Sequence, residues 1–188
     1  MNKPNSWDTT EAMVIGDFKT ITPGGHICKI KQAKVDETRS GKEILIIMFD
    51  VAEGEFKDFY TTQYDERKKT KSDTKYQGIY RQLTEGNSLK FFKGILKSIE
   101  ESNNGYKWAW DETTLKGKLF GGLFGQEEWQ NNNGDIKLST KCTQIRTVQA
   151  IKDGVEAPAI KRLNGGSTGG DTTYYADMKP VDDGDIPF

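Results

Sequence analysis

The last seven residues, Asp182-Asp183-Gly184-Asp185-Ile186-Pro187-Phe188, put three kinds of chemistry side by side. Three carboxylates lead into an apolar Ile-Pro-Phe, and Phe188 carries an aromatic ring and the α-carboxylate on one residue. Pro187 has no N–H and a fixed φ, and it biases Ile186 away from helix, so an extended end is expected. Asp182, Asp183, Asp185, Ile186, Pro187 and Phe188 together suit a partner protein that offers an apolar pocket rimmed by Arg or Lys. The pocket would take the ring out of water while the cations bond the carboxylates.

A second set of residues interleaves cations with aromatic rings. A groove of Lys and Arg can hold phosphates, and exposed rings can stack on bases for about 1–3 kcal/mol per base, whatever the base. The chain has 4 Trp, 7 Tyr and 9 Phe from which to build such a surface. The candidates are Lys29, Lys31 and Lys34 on a first strand, and Lys57, Phe59, Tyr60 and Tyr64 on an expected third strand. Lys116, Lys118, Phe120 and Phe124 form another strip. Arg39 and Lys42 fall in a hairpin loop, and Trp129 lies beside the last one. Neighbours such as Phe59 and Tyr60 cannot both face outward in a strand. Phe120 and Phe124 are expected to pack against a helix somewhat more than to stack on bases, and Trp108 with Trp110 is expected to be a packing element more than a platform.

These residues need a scaffold, and the pattern supplies one that is mainly β with some helix. His26 to Thr38 reads as a strand, Arg39-Ser40-Gly41-Lys42 as a turn, and Glu43 to Ala52 as a strand that is apolar on both faces. After Glu53-Gly54-Glu55, Phe56 to Tyr64 is expected as a third strand and Asp65 to Lys75 as a basic loop. Tyr76, Ile79, Tyr80 and Leu83 at i, i+3, i+4 and i+7 predict a short helix. A second helix follows Asn87 as N-cap, with Leu89, Phe92, Leu96 and Ile99 inward and an exit at Asn103-Asn104-Gly105. Thr114 to Gln126 and Asp135 to Ala150 are the last two strands, joined by a turn at Asn131-Asn132-Asn133-Gly134. Three strands, helix, two strands is the order of a five-stranded OB-fold-like barrel; a meander packed on helices without closure is its rival. Gly165-Gly166-Ser167-Thr168-Gly169-Gly170 opens a flexible linker, so residues 1–164 are expected as the domain and 165–188 as a disordered acidic tail.

Charge follows the same division. The whole chain carries −1. Asp171, Asp177, Asp182, Asp183 and Asp185 against Lys179 leave the tail acidic and the body net basic. A basic body can meet a polyanion while an acidic tail meets basic proteins. Cys28 and Cys142 lie far apart with no Cys-x-x-Cys spacing, and no secretory leader is apparent, so a reduced, cytoplasmic setting is expected. The longest apolar run, Ile44 to Phe49, is too short for a membrane span, and no membrane partner is expected.

Enzyme chemistry finds little support. His26 is the only histidine, and no metalloprotease or nucleophile-elbow motif occurs. Gly121-Gly122-Leu123-Phe124-Gly125 lacks the Lys-Ser/Thr that a phosphate loop requires. A nuclease would need carboxylates converging on rigid elements. No enzyme activity, metal or cofactor is expected; a nuclease and a protein adaptor using only the tip are the alternatives.

The tip resembles the acidic C-terminal tip of bacterial single-stranded-DNA-binding proteins, usually Asp-Asp-Asp-Ile-Pro-Phe, with Gly184 interrupting the aspartates here. Lys93-Gly94-Ile95, Trp108-Ala109-Trp110-Asp111-Glu112 and Leu115-Lys116-Gly117-Lys118 make residues 20 to 165 similar to phage-encoded single-strand-binding or recombination-associated proteins. The resemblance implies a bacteriophage protein acting in the bacterial host cell. It would bind single-stranded DNA without strong sequence preference during replication, recombination or repair. It would recruit other proteins of those processes through the tip. The body does not match the cellular bacterial family, so that family's quaternary structure does not carry over, though a homo-oligomer is compatible.

Overall fold

The apolar run from Ile44 to Phe49 builds the best-covered strand of the molecule. The computed structural model describes residues 3, 5, 7, 8 and 19–163. In it β1 (Gly24–Glu37) and β2 (Glu43–Val51) form a hairpin, and every residue of β2 after Glu43 is buried. Three further strands follow, β3 (Ile79–Leu83), β4 (Leu119–Gln130) and β5 (Ile136–Arg146). Helix α1 (Phe59–Thr70) precedes β3, α2 (Leu89–Ser102) lies between β3 and β4, and the short α3 (Val148–Lys152) follows β5. All ladders are antiparallel, in the order β3-β2-β1-β4-β5. β3 and β5 are the sheet's edges, so the expected barrel is an open five-stranded sheet.

Leu45, Ile47, Phe49 and Val51 pair with Val35, Ala33, Ile30 and Cys28 across the hairpin and face the core. Phe49 is the hub of that core, edge-on to Tyr60 at 5.6 Å and to Phe120 at 5.4 Å between ring centroids. Helix α2 lays Phe92, Leu96 and Ile99 against it, as the helical spacing predicts, and Ile95 with them. Leu89, expected inward, is exposed at the helix start, and Ser88 stands at the N-cap position assigned to Asn87. Asn103 closes the other end as expected: its Nδ2 donates to Ile99 O and Leu119 O, and its Oδ1 accepts from Leu119 N.

Three further expectations are overturned. The third strand at Phe56 to Tyr64 is absent, because that stretch turns into α1, which also takes up the first part of the expected Asp65–Lys75 loop. The cause is remote in sequence. Asp58 precedes α1 in a left-handed conformation (φ 57°) and its side chain caps nothing. Asp50 of β2 does the capping, accepting from Tyr60 N at 2.9 Å and from Thr61 N at 2.8 Å. The expected helix through Tyr76, Ile79, Tyr80 and Leu83 is instead strand β3, since Ile79 to Leu83 pair with Met48 to Ile44. The last two strands shift as well: β4 starts at Leu119, runs on to Gln130, and β5 ends at Arg146, where the chain turns into α3.

The glycines of β4 serve close packing. A Cβ on Gly121 would stand 2.4 Å from Ile151 Cγ1 and 2.5 Å from Thr147 O, so only glycine lets α3 lie on the strand. A Cβ on Gly122 would stand 3.0 Å from Cys28 Sγ and 3.3 Å from Cys142 Sγ. The two free thiols converge there, both buried. The linker at 165–170 and the tip residues Asp182, Asp183, Asp185, Ile186, Pro187 and Phe188 lie outside the described residues.

Candidate nucleic-acid interface

The face of β1–β2–β3 turned away from the core is laid out by strand register. Residues directly opposite each other in a ladder share a face. Lys34 of β1, Ile46 of β2 and Arg81 of β3 form one such row. Gln32, Met48 and Ile79 form the next, where Met48 joins the core cluster and Ile79 packs against it, then Lys29 beside the buried Asp50, which α1 covers. On the other side lies Asp36, Ile44 and Leu83. Ile44 and Ile46 are buried yet stand outside the main core cluster, while Lys34 and Arg81 flank them half-buried. The result is an apolar centre edged by cations, with two carboxylates, Asp36, ion-paired to Lys34 at 3.7 Å, and the buried Asp50.

Two hairpin tips extend this face at opposite ends. β1 and β4 are antiparallel, so the β1–β2 tip with Arg39 and Lys42 and the β4–β5 tip at 131–135 point away from each other. On the β4–β5 arm Trp129 pairs across the ladder with Lys137, and the ring is 44% exposed. Glu127 and Lys141 are ion-paired on the same arm.

The residues named from the sequence sort clearly. Lys29, Arg39, Lys42, Lys57 and Lys116 are exposed, and among the described residues none has a carboxylate partner. Lys31 is committed locally, donating to Thr61 Oγ1 at 2.7 Å and lying 5.8 Å from the Tyr76 ring centroid. Lys118 sits 4.5 Å over the Tyr106 ring.

The aromatic set is mostly core. Phe120 and Phe124 are fully buried, Tyr60 and Tyr64 are buried on α1, and Phe59 is half-buried against the same cluster. None of Tyr60, Tyr64, Phe120 and Phe124 can stack on a base in this structure. Lys116 and Lys118 precede β4, so the expected strip with Phe120 and Phe124 does not form, and the face carrying those two rings points inward while Ile151 covers the other at Gly121. Arg81 was missed because the stretch around it was read as helix. Trp108 packs against the core as expected, whereas Trp110 is 79% exposed.

Burial also sets the titration of the interior. Cys142 is pushed up to about 12 by desolvation, and Cys28 is raised well above its ordinary range by desolvation, with smaller contributions from Cys142 and Asp50. Tyr60 and Tyr76 are raised in the same way. These thiols stay protonated and closed to solvent, so they are packing groups and not nucleophiles. Among the described residues no three His, Cys, Asp or Glu side chains gather in a metal-holding group, and no helix is long and apolar enough to cross a membrane. No protein-family model matches the chain, and no curated protein matches it.

Proposed function

We propose that the body binds single-stranded DNA without strong sequence preference, across the outer face of β1–β2–β3, on an OB-like variant of the open sheet. The observation that carries this reading is the cross-strand row Lys34–Ile46–Arg81. It lies between two hairpin tips that carry Arg39, Lys42 and the Trp129–Lys137 pair. Strand order supports the OB-like assignment: a β1–β2–β3 meander, β4 returning to β1, and α2 before β4. Closure between β3 and β5 is the one feature of that fold that is missing. On the resemblance of its sequence, the tip recruits replication, recombination or repair proteins in a phage-infected bacterial cell. The tip lies outside the described residues.

The test is a salt series with fluorescent oligo-dT. Affinity should fall linearly with log salt, with a slope of about −0.7 per phosphate neutralised. The double variant Lys34→Glu, Arg81→Glu should weaken binding and flatten that slope by roughly 1.4, for two phosphates lost. Duplex of the same length should bind far more weakly, because its bases are not free to stack. Equal affinity for duplex and single strand, or an unchanged slope in a folded double variant, would overturn the proposal.

A further inference from the structure

The connection from α2 to β4 holds an aromatic side chain out in solvent on a rigid frame. Trp110 is 79% exposed and adopts φ 60°, a left-handed conformation that is costly for a residue with a Cβ. The frame around it is bonded at several points, although Trp108 Nε1 is buried without a hydrogen-bond partner among the described residues. Asp111 Oδ1 accepts from Thr113 N at 3.0 Å and Thr113 Oγ1 at 2.6 Å, and Thr114 Oγ1 donates to Asp111 O at 2.7 Å. Tyr106 Oη and Thr114 Oγ1 share a hydrogen bond of 2.9 Å. On the other side Trp108 N donates to Glu100 Oε1 at 2.8 Å, and that bond, with the one from Lys107, holds the Glu100 carboxyl below its ordinary range. Trp108 packs on the core, and its ring centroid lies 6.3 Å from that of Trp110 at 61°.

The same connection carries two lysines beyond Trp110. Lys118 lies over Tyr106, Lys116 is exposed, and neither has a carboxylate partner among the described residues. Gly117 N donates to Ile30 O at 2.7 Å and Ile30 N to Lys118 O at 2.9 Å, which fastens the segment to the edge of β1. Of the nearby carboxylates, Asp111 is engaged in its turn and Glu100 is paired with Lys107 at 3.2 Å, leaving Glu112. Strain held in a bonded loop, with the ring kept out of the core, is the form taken by a preorganised contact.

We infer that Trp110 is a base-stacking platform for single-stranded DNA, with Lys116 and Lys118 taking the adjoining phosphates. The inference rests on the function proposed above and extends it to a contact outside the β1–β2–β3 face. It is tested with the full chain, Trp110→Ala and Trp110→Phe, against oligo-dT and an abasic oligomer of equal length, with circular dichroism to verify the fold. Trp110→Ala should lose roughly 5- to 150-fold in affinity for oligo-dT, the loss of one stacked base. Trp110→Phe should recover most of it, and the abasic oligomer should bind both variants as it binds the wild type. Unchanged oligo-dT affinity in Trp110→Ala, with the wild type binding, overturns the platform and leaves the binding face standing; the exposed ring would then be free to serve a protein partner. An equal loss on the abasic oligomer refutes stacking. Failure of the wild type to bind either oligomer sinks the function and the platform together.

Discussion

Replacing Asp50 with Ala tests whether one buried carboxylate sets the path of the chain from β2 to β3. Asp50 is 4% exposed and accepts from Val51 N, Tyr60 N, Thr61 N, Thr61 Oγ1 and Tyr76 Oη. Tyr76 Oη keeps a bond to Phe49 O at 3.0 Å, and Thr61 is partly open to water, so the group most clearly orphaned is Tyr60 N. Loss of a helix cap costs about 1 kcal/mol, and a buried donor left unsatisfied costs about 1–3 kcal/mol more. Asp50→Ala should therefore lose about 2–4 kcal/mol, a large part of the roughly 5–15 kcal/mol that holds a domain folded. Urea unfolding followed by circular dichroism measures this as a lower midpoint at unchanged slope. Asp50→Asn preserves volume but turns an NH₂ toward one of the N–H donors, so it should rescue only part of the loss. Thr61→Val removes one donor and leaves the cap, and it should cost less than either. A loss under about 0.5 kcal/mol for Asp50→Ala would refute the idea that this side chain holds α1.

Two further outcomes follow from the interior. Gly121→Val sets a side chain where Ile151 Cγ1 stands 2.4 Å from a Cβ, and the overpacking should cost about 1–3 kcal/mol, read as a lower unfolding temperature. Alkaline pH should destabilise the fold: Cys142 is raised from 9.0 to about 12 and Cys28, Tyr60 and Tyr76 are raised too, so the unfolded chain sheds these protons first. The stability is fully present below pH 9 and falls as pH climbs toward 12, and Cys142→Ala should flatten that decline in unfolding temperature measured against pH.

What the sequence reveals about this fold depends on how local the determining interactions are. β2 is legible because six apolar residues in a row, Ile44 to Phe49, leave few other options. α2 is legible because Phe92, Leu96 and Ile99 repeat at helical spacing and Asn103 ends it with its own side chain. α1 is hidden because its cap comes from Asp50, ten residues upstream of Tyr60 on another element. β3 is hidden because Tyr76, Ile79, Tyr80 and Leu83 imitate a helical stripe while their neighbours on β2 dictate an extended ladder. The site divides the same way. Exposed lysines such as Lys29, Lys42 and Lys116 need only polarity to be found, whereas a buried and an exposed aromatic look alike until packing decides between them.

That asymmetry bears on the proposed binding face. An aromatic-rich groove was the sequence expectation, yet the aromatic rings near β2 are consumed by the core around Phe49. What remains on the outer face is a cationic row over buried aliphatics, suited to phosphates more than to bases. In the proposed function stacking would fall to the exposed Trp129 on the β4–β5 arm and Trp110 in the α2–β4 connection. A strand of DNA engaging both under that proposal would run along β4, since Trp110 precedes that strand and Trp129 lies near its end. β2 alone is nine residues long, about 30 Å at 3.3 Å per residue. A site of that length, charged in the middle and aromatic at its margins, would draw most of its affinity from phosphates. Its salt dependence should therefore be steep, while its discrimination against duplex should rest on the two tryptophans.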